Sequence, residues 1–85
     1  MDARKREQNE RKFGTWADVS GGGRRYSYDV KGRSGWWARY IKEVDHEEST
    51  MRFFQEVYDG AGRLREVHPK YPVDLGHQQV TGEEP

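Results

Sequence analysis

The side chains best equipped for chemistry in this chain lie close together near its C-terminal end. The run His68-Pro69-Lys70-Tyr71-Pro72-Val73-Asp74-Leu75-Gly76-His77 holds two histidines, a lysine, a tyrosine and an aspartate within ten residues. A metal-independent ribonuclease requires groups of this kind: one imidazole as general base on a ribose 2′-hydroxyl, a second as general acid, and Lys70 to meet the charge developing on the phosphorane. The same run reads equally as a contact surface. Pro69 and Pro72 stiffen it, while His68, Lys70, Tyr71 and His77 combine cationic, aromatic and hydrogen-bonding character of the sort interfaces favour. Because nothing in the spacing is specific to catalysis, the binding reading leads. His68, Asp74 and His77 are near in sequence, but their intervals match no established zinc or calcium pattern and His46 sits in another loop, so no metal or cofactor is expected.

A second constellation lies upstream. Arg24, Arg25, Lys31, Arg33, Arg39 and Lys42 interleave with Tyr26, Tyr28, Trp36, Trp37 and Tyr40. Cations alternating with stackable rings suit single-stranded nucleic acid on a sheet, which makes Arg24, Arg25, Arg33, Trp37, Arg39 and Lys42 an alternative binding surface. Strand alternation offers a plainer account, with rings toward a core and cations toward solvent. The overall charge agrees with the plainer account, since a pI near 6.8 is low for a dedicated nucleic-acid binder. The charge is nonetheless divided: residues 1–42 carry 11 Lys/Arg against 5 Asp/Glu, and residues 43–85 carry 4 against 10. Gly21-Gly22-Gly23 lacks the Lys-Ser/Thr pair and following helix of a phosphate loop and reads as a hairpin connection.

Positioning these groups falls to short strands. Tyr28-Asp29-Val30-Lys31-Gly32-Arg33 and Tyr58-Asp59-Gly60-Ala61-Gly62-Arg63 each read as a hairpin turn, in which Asp accepts from later amides and Gly three residues on takes the left-handed conformation. Alternating segments over residues 13–19, 24–29, 35–44, 51–58 and 63–68 predict an antiparallel meander of four to five strands, curled or barrel-like, in a mainly β fold. Prolines 69 and 72 are expected to end the pairing, because proline cannot donate to a sheet. If Asp29 faces Arg33, then Tyr26 falls opposite Trp36; if Val44 faces Met51, then Arg39 meets Glu56 and Glu43 meets Arg52. That arrangement gathers Tyr26, Tyr28, Trp36, Ala38, Tyr40, Val44, Met51, Phe53 and Val57 on one face. Trp37, Ile41, Phe54 and Tyr58 form a second apolar group on the other. Residues 1–12 offer no apolar stripe and read as a charged flexible arm, disordered or forming a short helix; 13–77 form the sheet domain and 78–85 a flexible tail.

Each hexapeptide resembles the Tyr-Asp-x-x-Gly-Arg unit of the YD-repeat shell proteins, whose long arrays build hollow β-cages. The resemblance covers about a dozen residues. Two copies 30 positions apart, in a chain of 85 residues, are too few to enclose anything, so the likeness is one of convergent turn chemistry and implies no family for the whole chain.

Length and composition then bound the function. Apolar residues are 32%, charged residues 35% and mean hydropathy −1.25, yet aromatic residues are 13%, so a few large side chains must build the core. There is no cysteine to staple the fold. No stretch is apolar enough to span a membrane, and Met1 to Lys12 lacks a signal-peptide segment, which together give a cytoplasmic expectation, in prokaryotic or phage style. The function expected is a small non-catalytic protein-interaction module, its partner a protein or a second copy of the chain. A ribonuclease-type toxin of a toxin–antitoxin pair is the catalytic alternative, on the analogy of size and economy, and a single-stranded nucleic-acid binder is the third.

Overall fold

A computed structural model describes residues 1–80. The chain opens with helix α1 (Ala3–Phe13) and continues through strands β1 (Thr15–Asp18), β2 (Arg24–Lys31), β3 (Trp37–Val44), β4 (Thr50–Tyr58), β5 (Leu64–Tyr71) and β6 (Gln78–Gln79). All six strands pair with their sequence neighbours, antiparallel, in the order β1 to β6. The fold is therefore mainly β, an open meander rather than the curled, barrel-like sheet expected, and it has six strands rather than four to five.

The sixth strand exists because proline does not stop β5 where the sequence suggests. Pro69 pairs with Phe54, Lys70 is accommodated at an irregularity, and Tyr71 pairs with Phe53. A register irregularity of this kind tolerates a residue that cannot donate, and the Pro69 carbonyl accepts from Leu75 N at 3.0 Å, which folds the following loop back and brings Gln78 beside Val67. Of the tail expected over 78–85, Gln78–Gln79 form β6 and residues 81–85 lie outside the described residues.

Of the two states expected for the N-terminal arm, disordered or a short helix, the helix is present, with 11 residues; it lies against β1 and β2 rather than having nothing to bury. Asp2 caps it, its carboxylate accepting from the amides of Arg4 and Lys5, and left-handed Gly14 ends it. Its buried residues are Asn9 and Phe13, so a largely polar stripe docks it. Phe13 meets Tyr26, Tyr28 and Phe53, with ring centroids 5.7, 5.3 and 6.4 Å away, and with Val44 these rings form the core. Few large side chains suffice because each aromatic ring removes much apolar surface from water.

Register agrees with expectation at one hairpin and departs from it at another. Between β3 and β4, Arg39 faces Glu56 and Glu43 faces Arg52, as the charge pattern predicts; an irregularity after Glu43 then sets Val44 opposite Thr50 rather than Met51. Between β2 and β3, Asp29 faces Arg39 and Tyr26 faces Lys42, not Trp36. The chain reverses later than the Asp-Gly signal suggests, at Ser34-Gly35, where φ is 56° and 78° and Trp36 N bonds to Arg33 O at 2.9 Å. Positive φ at both central residues is the hairpin turn whose twist matches the strands. Gly32 accordingly lacks the left-handed conformation expected of it, while Gly62 has it, with φ 83°.

Candidate functional site

β5 sends Glu66, His68 and Lys70 to the face of the sheet that carries α1. There the expected cluster does assemble. The loop after Tyr71 brings Asp74 Oδ1 to within 2.7 Å of His68 Nε2, and His77 Nδ1 to within 2.9 Å of Glu66 Oε1, with the two imidazole centroids 4.5 Å apart. Asp74 also accepts from Gly76 N at 2.9 Å; this backbone bond, followed by that of His68, holds its carboxyl below the ordinary value. Lys70 lies 5.2 Å above the Tyr40 ring and Tyr71 is about half exposed.

Convergence of the histidines is a requirement of the ribonuclease reading, but proton transfer also needs a ring nitrogen facing the substrate. His68 offers none. Its Nε2 is engaged by Asp74, and its Nδ1 is buried without a hydrogen-bond partner. The arrangement instead fastens the 72–77 loop across β5: Asp74 and His77 reach one face, while Val73 and Leu75 line a groove on the other with Arg52, Phe54, Glu56, Val67 and Pro69. That groove encloses about 540 Å³, and Tyr71, Val73 and Leu75 beside it are 49%, 60% and 55% exposed. Among the described residues, no three His, Asp or Glu side chains are placed to hold a metal ion.

The alternative nucleic-acid surface is divided by the β2–β3 register. Arg24 and Lys42 share the helix-bearing face with Tyr26, while Arg25, Trp37 and Arg39 lie on the opposite face and Arg33 is in the turn. Most of these cations already have carboxylates. Arg24 bonds Glu10 at 2.7 Å and Asp18 at 3.0 Å, Glu10 being the stronger reason its guanidinium holds its proton more tightly than usual. Arg25 lies 3.7 Å from Glu43, and Arg39 lies 2.8 Å from Asp29. Trp37 stacks on Tyr58 at 4.3 Å under the Arg39 guanidinium, which removes one face from any base. On this face Ile41 and Phe54 are buried without a second layer, since Arg52 spreads 4.3 Å above Phe54 while bonding Glu43.

The most constrained polar group escaped sequence analysis. Glu48 is 2% exposed and has φ 71°, in the left-handed region that favours glycine. Its carboxylate accepts from Arg6 Nε at 3.0 Å, Asn9 Nδ2 at 3.1 Å and the Tyr26 hydroxyl. Burial opposes its ionisation, but these three donors outweigh burial and hold the carboxyl below its ordinary value. Tyr26 is correspondingly raised, by burial first and by Glu48 second. Asn9 continues the network, its Oδ1 accepting from Lys42 Nζ at 2.9 Å. The spacing of Arg6, Asn9 and Phe13 on one helical stripe was the available signal, hidden because only one of the three is apolar.

No family model, curated protein or solved structure matches the chain. Among the described residues no helix is long and apolar enough to cross a membrane.

Proposed function

We propose that this protein is a small non-catalytic protein-interaction module, and that its partner seats on the groove between β4, β5 and the 72–77 loop. The observation carrying this reading is the line of exposed Tyr71, Val73 and Leu75 beside the groove floored by Phe54, Val67 and Pro69. A chain that is only 32% apolar places Tyr71, at the end of β5, and Val73 and Leu75 of the following loop in solvent together, which costs solvation unless something covers them. The loop is also held ready. Asp74 on His68, Glu66 on His77 and the Leu75 amide on Pro69 fix it before any partner arrives, so little ordering entropy is lost on binding. Arg52 and Glu56 at the rim suit a partner with an apolar ridge flanked by both signs of charge. His68 and His77 act here as supports of the surface and Tyr71 as part of it, while Lys70 lies over the Tyr40 and Phe53 rings on the helix-bearing face.

The test is affinity capture from the native host with the wild-type chain and a Val73→Asp/Leu75→Asp double variant, whose altered side chains are exposed in the free protein. A protein retained by the wild type and lost at least about tenfold by the variant is the expected result. Retention of the same proteins by both overturns the assignment of the surface. Sedimentation of the two chains identifies a second copy as the partner if the wild type dimerises and the variant does not.

A further inference from the structure

The lysines of this chain behave differently from its arginines. Among the described residues every ion pair within 4.0 Å uses arginine or histidine as the cation, and none uses Lys5, Lys12, Lys31, Lys42 or Lys70. Three of these five line one concavity of about 450 Å³ between α1 and the sheet: Lys5 and Lys12 from the helix, Lys42 from β3. The placement follows from the fold. Lys5 and Lys12 are seven positions apart, two turns along the same side of α1, and the helix is held to the sheet by Asn9, which bonds Lys42, and by Phe13 against Tyr26, Tyr28 and Phe53. The remaining wall is made of Ser49, Thr50, Phe13, Phe53 and Tyr71.

Three ammonium groups around one space repel each other, and among the described residues none of them has a carboxylate within 4.0 Å. Glu48, whose charge acts on Lys42, already accepts from Arg6, Asn9 and Tyr26. Lys42 Nζ donates to Asn9 Oδ1 at 2.9 Å, which fixes its position with its other protons left to donate. Burial and then the neighbouring charge of Lys12 lower the proton affinity of Lys42; the Glu48 carboxylate acts the other way, ahead of a further lowering by Lys5, and the net direction is downward. All three lie in the basic half of the chain, yet Arg6, Arg24, Arg25 and Arg39 of the same half take carboxylate partners and these lysines take none.

We propose that this concavity binds a phosphate ester with a flat organic portion, the phosphate lying among Lys5, Lys12 and Lys42 with the Ser49 and Thr50 hydroxyls beside it. A dianion matches three cations better than a carboxylate does, and hydroxyls add neutral donors to its oxygens. The ring of Phe53 and the exposed ring of Tyr71 form the apolar side of the same space, against which a flat group stacks. This site is separate from the partner groove, sharing only Tyr71 with it.

Calorimetric titration and amide chemical-shift mapping with adenosine monophosphate, adenosine, inorganic phosphate and a short single-stranded oligonucleotide test it. The nucleotide is expected to shift amides around Lys42, Ser49 and Thr50, adenosine to bind at least about tenfold more weakly, and inorganic phosphate to shift the same amides at higher concentration. A Lys5→Gln/Lys12→Gln double variant, altered only at exposed positions, is expected to lose at least about tenfold in nucleotide affinity while keeping its thermal midpoint. Equal binding of adenosine and the nucleotide, unchanged affinity in the double variant, or binding of the oligonucleotide with no response to the nucleotide or phosphate would each overturn the proposal.

Discussion

Two hairpin connections in this protein are built on the same hydrogen-bond plan and filled by different residues. In residues 45–49 and 59–63 the leading Asp donates its amide to the carbonyl four residues on, at 2.9 Å for Ser49 and 3.0 Å for Arg63. Its carbonyl accepts from the amide three residues on, at 3.0 Å for Glu48 and 2.9 Å for Gly62. Its carboxylate accepts from the residues two and four positions later, Glu47 and Ser49 in one turn, Ala61 and Arg63 in the other. The left-handed position is Gly62 in the second turn, as local preference dictates, and Glu48 in the first. A side chain there costs about 1 kcal/mol or more. Glu48 tolerates it because the left-handed backbone aims the carboxylate at Arg6, Asn9 and Tyr26, joining helix to sheet. One turn is satisfied by its own chemistry; the other accepts local strain for a contact 39 and 42 residues away in sequence.

Removing the helix should destabilise the Glu48 turn most. Deleting residues 1–12 takes Arg6 and Asn9 from a buried carboxylate, and we expect a loss of roughly 3–5 kcal/mol, read as the thermal midpoint by circular dichroism. An unchanged midpoint would mean that α1 contributes nothing to the stability of the sheet.

Replacing Glu48 itself should be nearly as costly, about 3 kcal/mol for Glu48→Ala, because three donors lose their acceptor. Glu48→Gly removes the same carboxylate but relaxes the backbone, so it should be more stable than the alanine variant by about 1 kcal/mol in urea unfolding. No difference between the two would show that the left-handed conformation carries no strain.

At the partner turn only the backbone effect remains. Gly62→Ala should cost about 1 kcal/mol, since a Cβ there meets nothing within 4 Å and the penalty is conformational alone. A neutral result would erase the contrast with position 48.

Acid acts on the carboxylates of both turns. The carboxyls of Asp45, Glu48 and Asp59 are all held below their ordinary values, Asp45 chiefly by the Ser49 amide and Asp59 chiefly by the Arg63 amide. A carboxyl depressed in the folded state contributes stability that is complete above its unfolded value and is lost as pH falls through the folded one. Urea midpoints should therefore stay level at neutral pH and fall below about pH 4. Glu48→Gln should make that fall shallower, and an undiminished slope would remove Glu48 from the acid response. The smallest effect belongs to the exposed Glu7–Arg11 pair, where Arg11→Ala should change stability by less than about 0.5 kcal/mol.

How much of this was legible in the sequence depends on the range of the forces involved. The second Asp-Gly turn was, because Asp59, Gly62 and Arg63 satisfy one another within five residues. So was the β3–β4 register, fixed by Arg39 against Glu56 and Glu43 against Arg52. At β2–β3 the turn was placed too early, yet Tyr26, Tyr28, Ala38, Tyr40, Val44, Phe53 and Val57 still share a face. The displacement of pairing from Tyr26–Trp36 to Tyr26–Lys42 is an even number of residues, and an even slip preserves which way each side chain points. The convergence of His68 with His77 could be anticipated from proximity along the chain; that the Nδ1 of His68 is buried could not.

The sequence by itself thus determined the elements whose causes are local: turn chemistry, strand alternation and the parity of the two faces. Tertiary structure decided what depends on a distant partner. It turned a polar stripe of Arg6 and Asn9 into a docking face by supplying a buried Glu48, continued β5 through Pro69 at a register irregularity, and separated the cations of the Arg24–Lys42 hairpin between two faces. It also left Lys5, Lys12 and Lys42 around one concavity. Desolvation is the physical reason for the division. A charged side chain in the sequence carries no record of whether water or another residue will solvate it, and that choice is made only when the sheet and the helix meet.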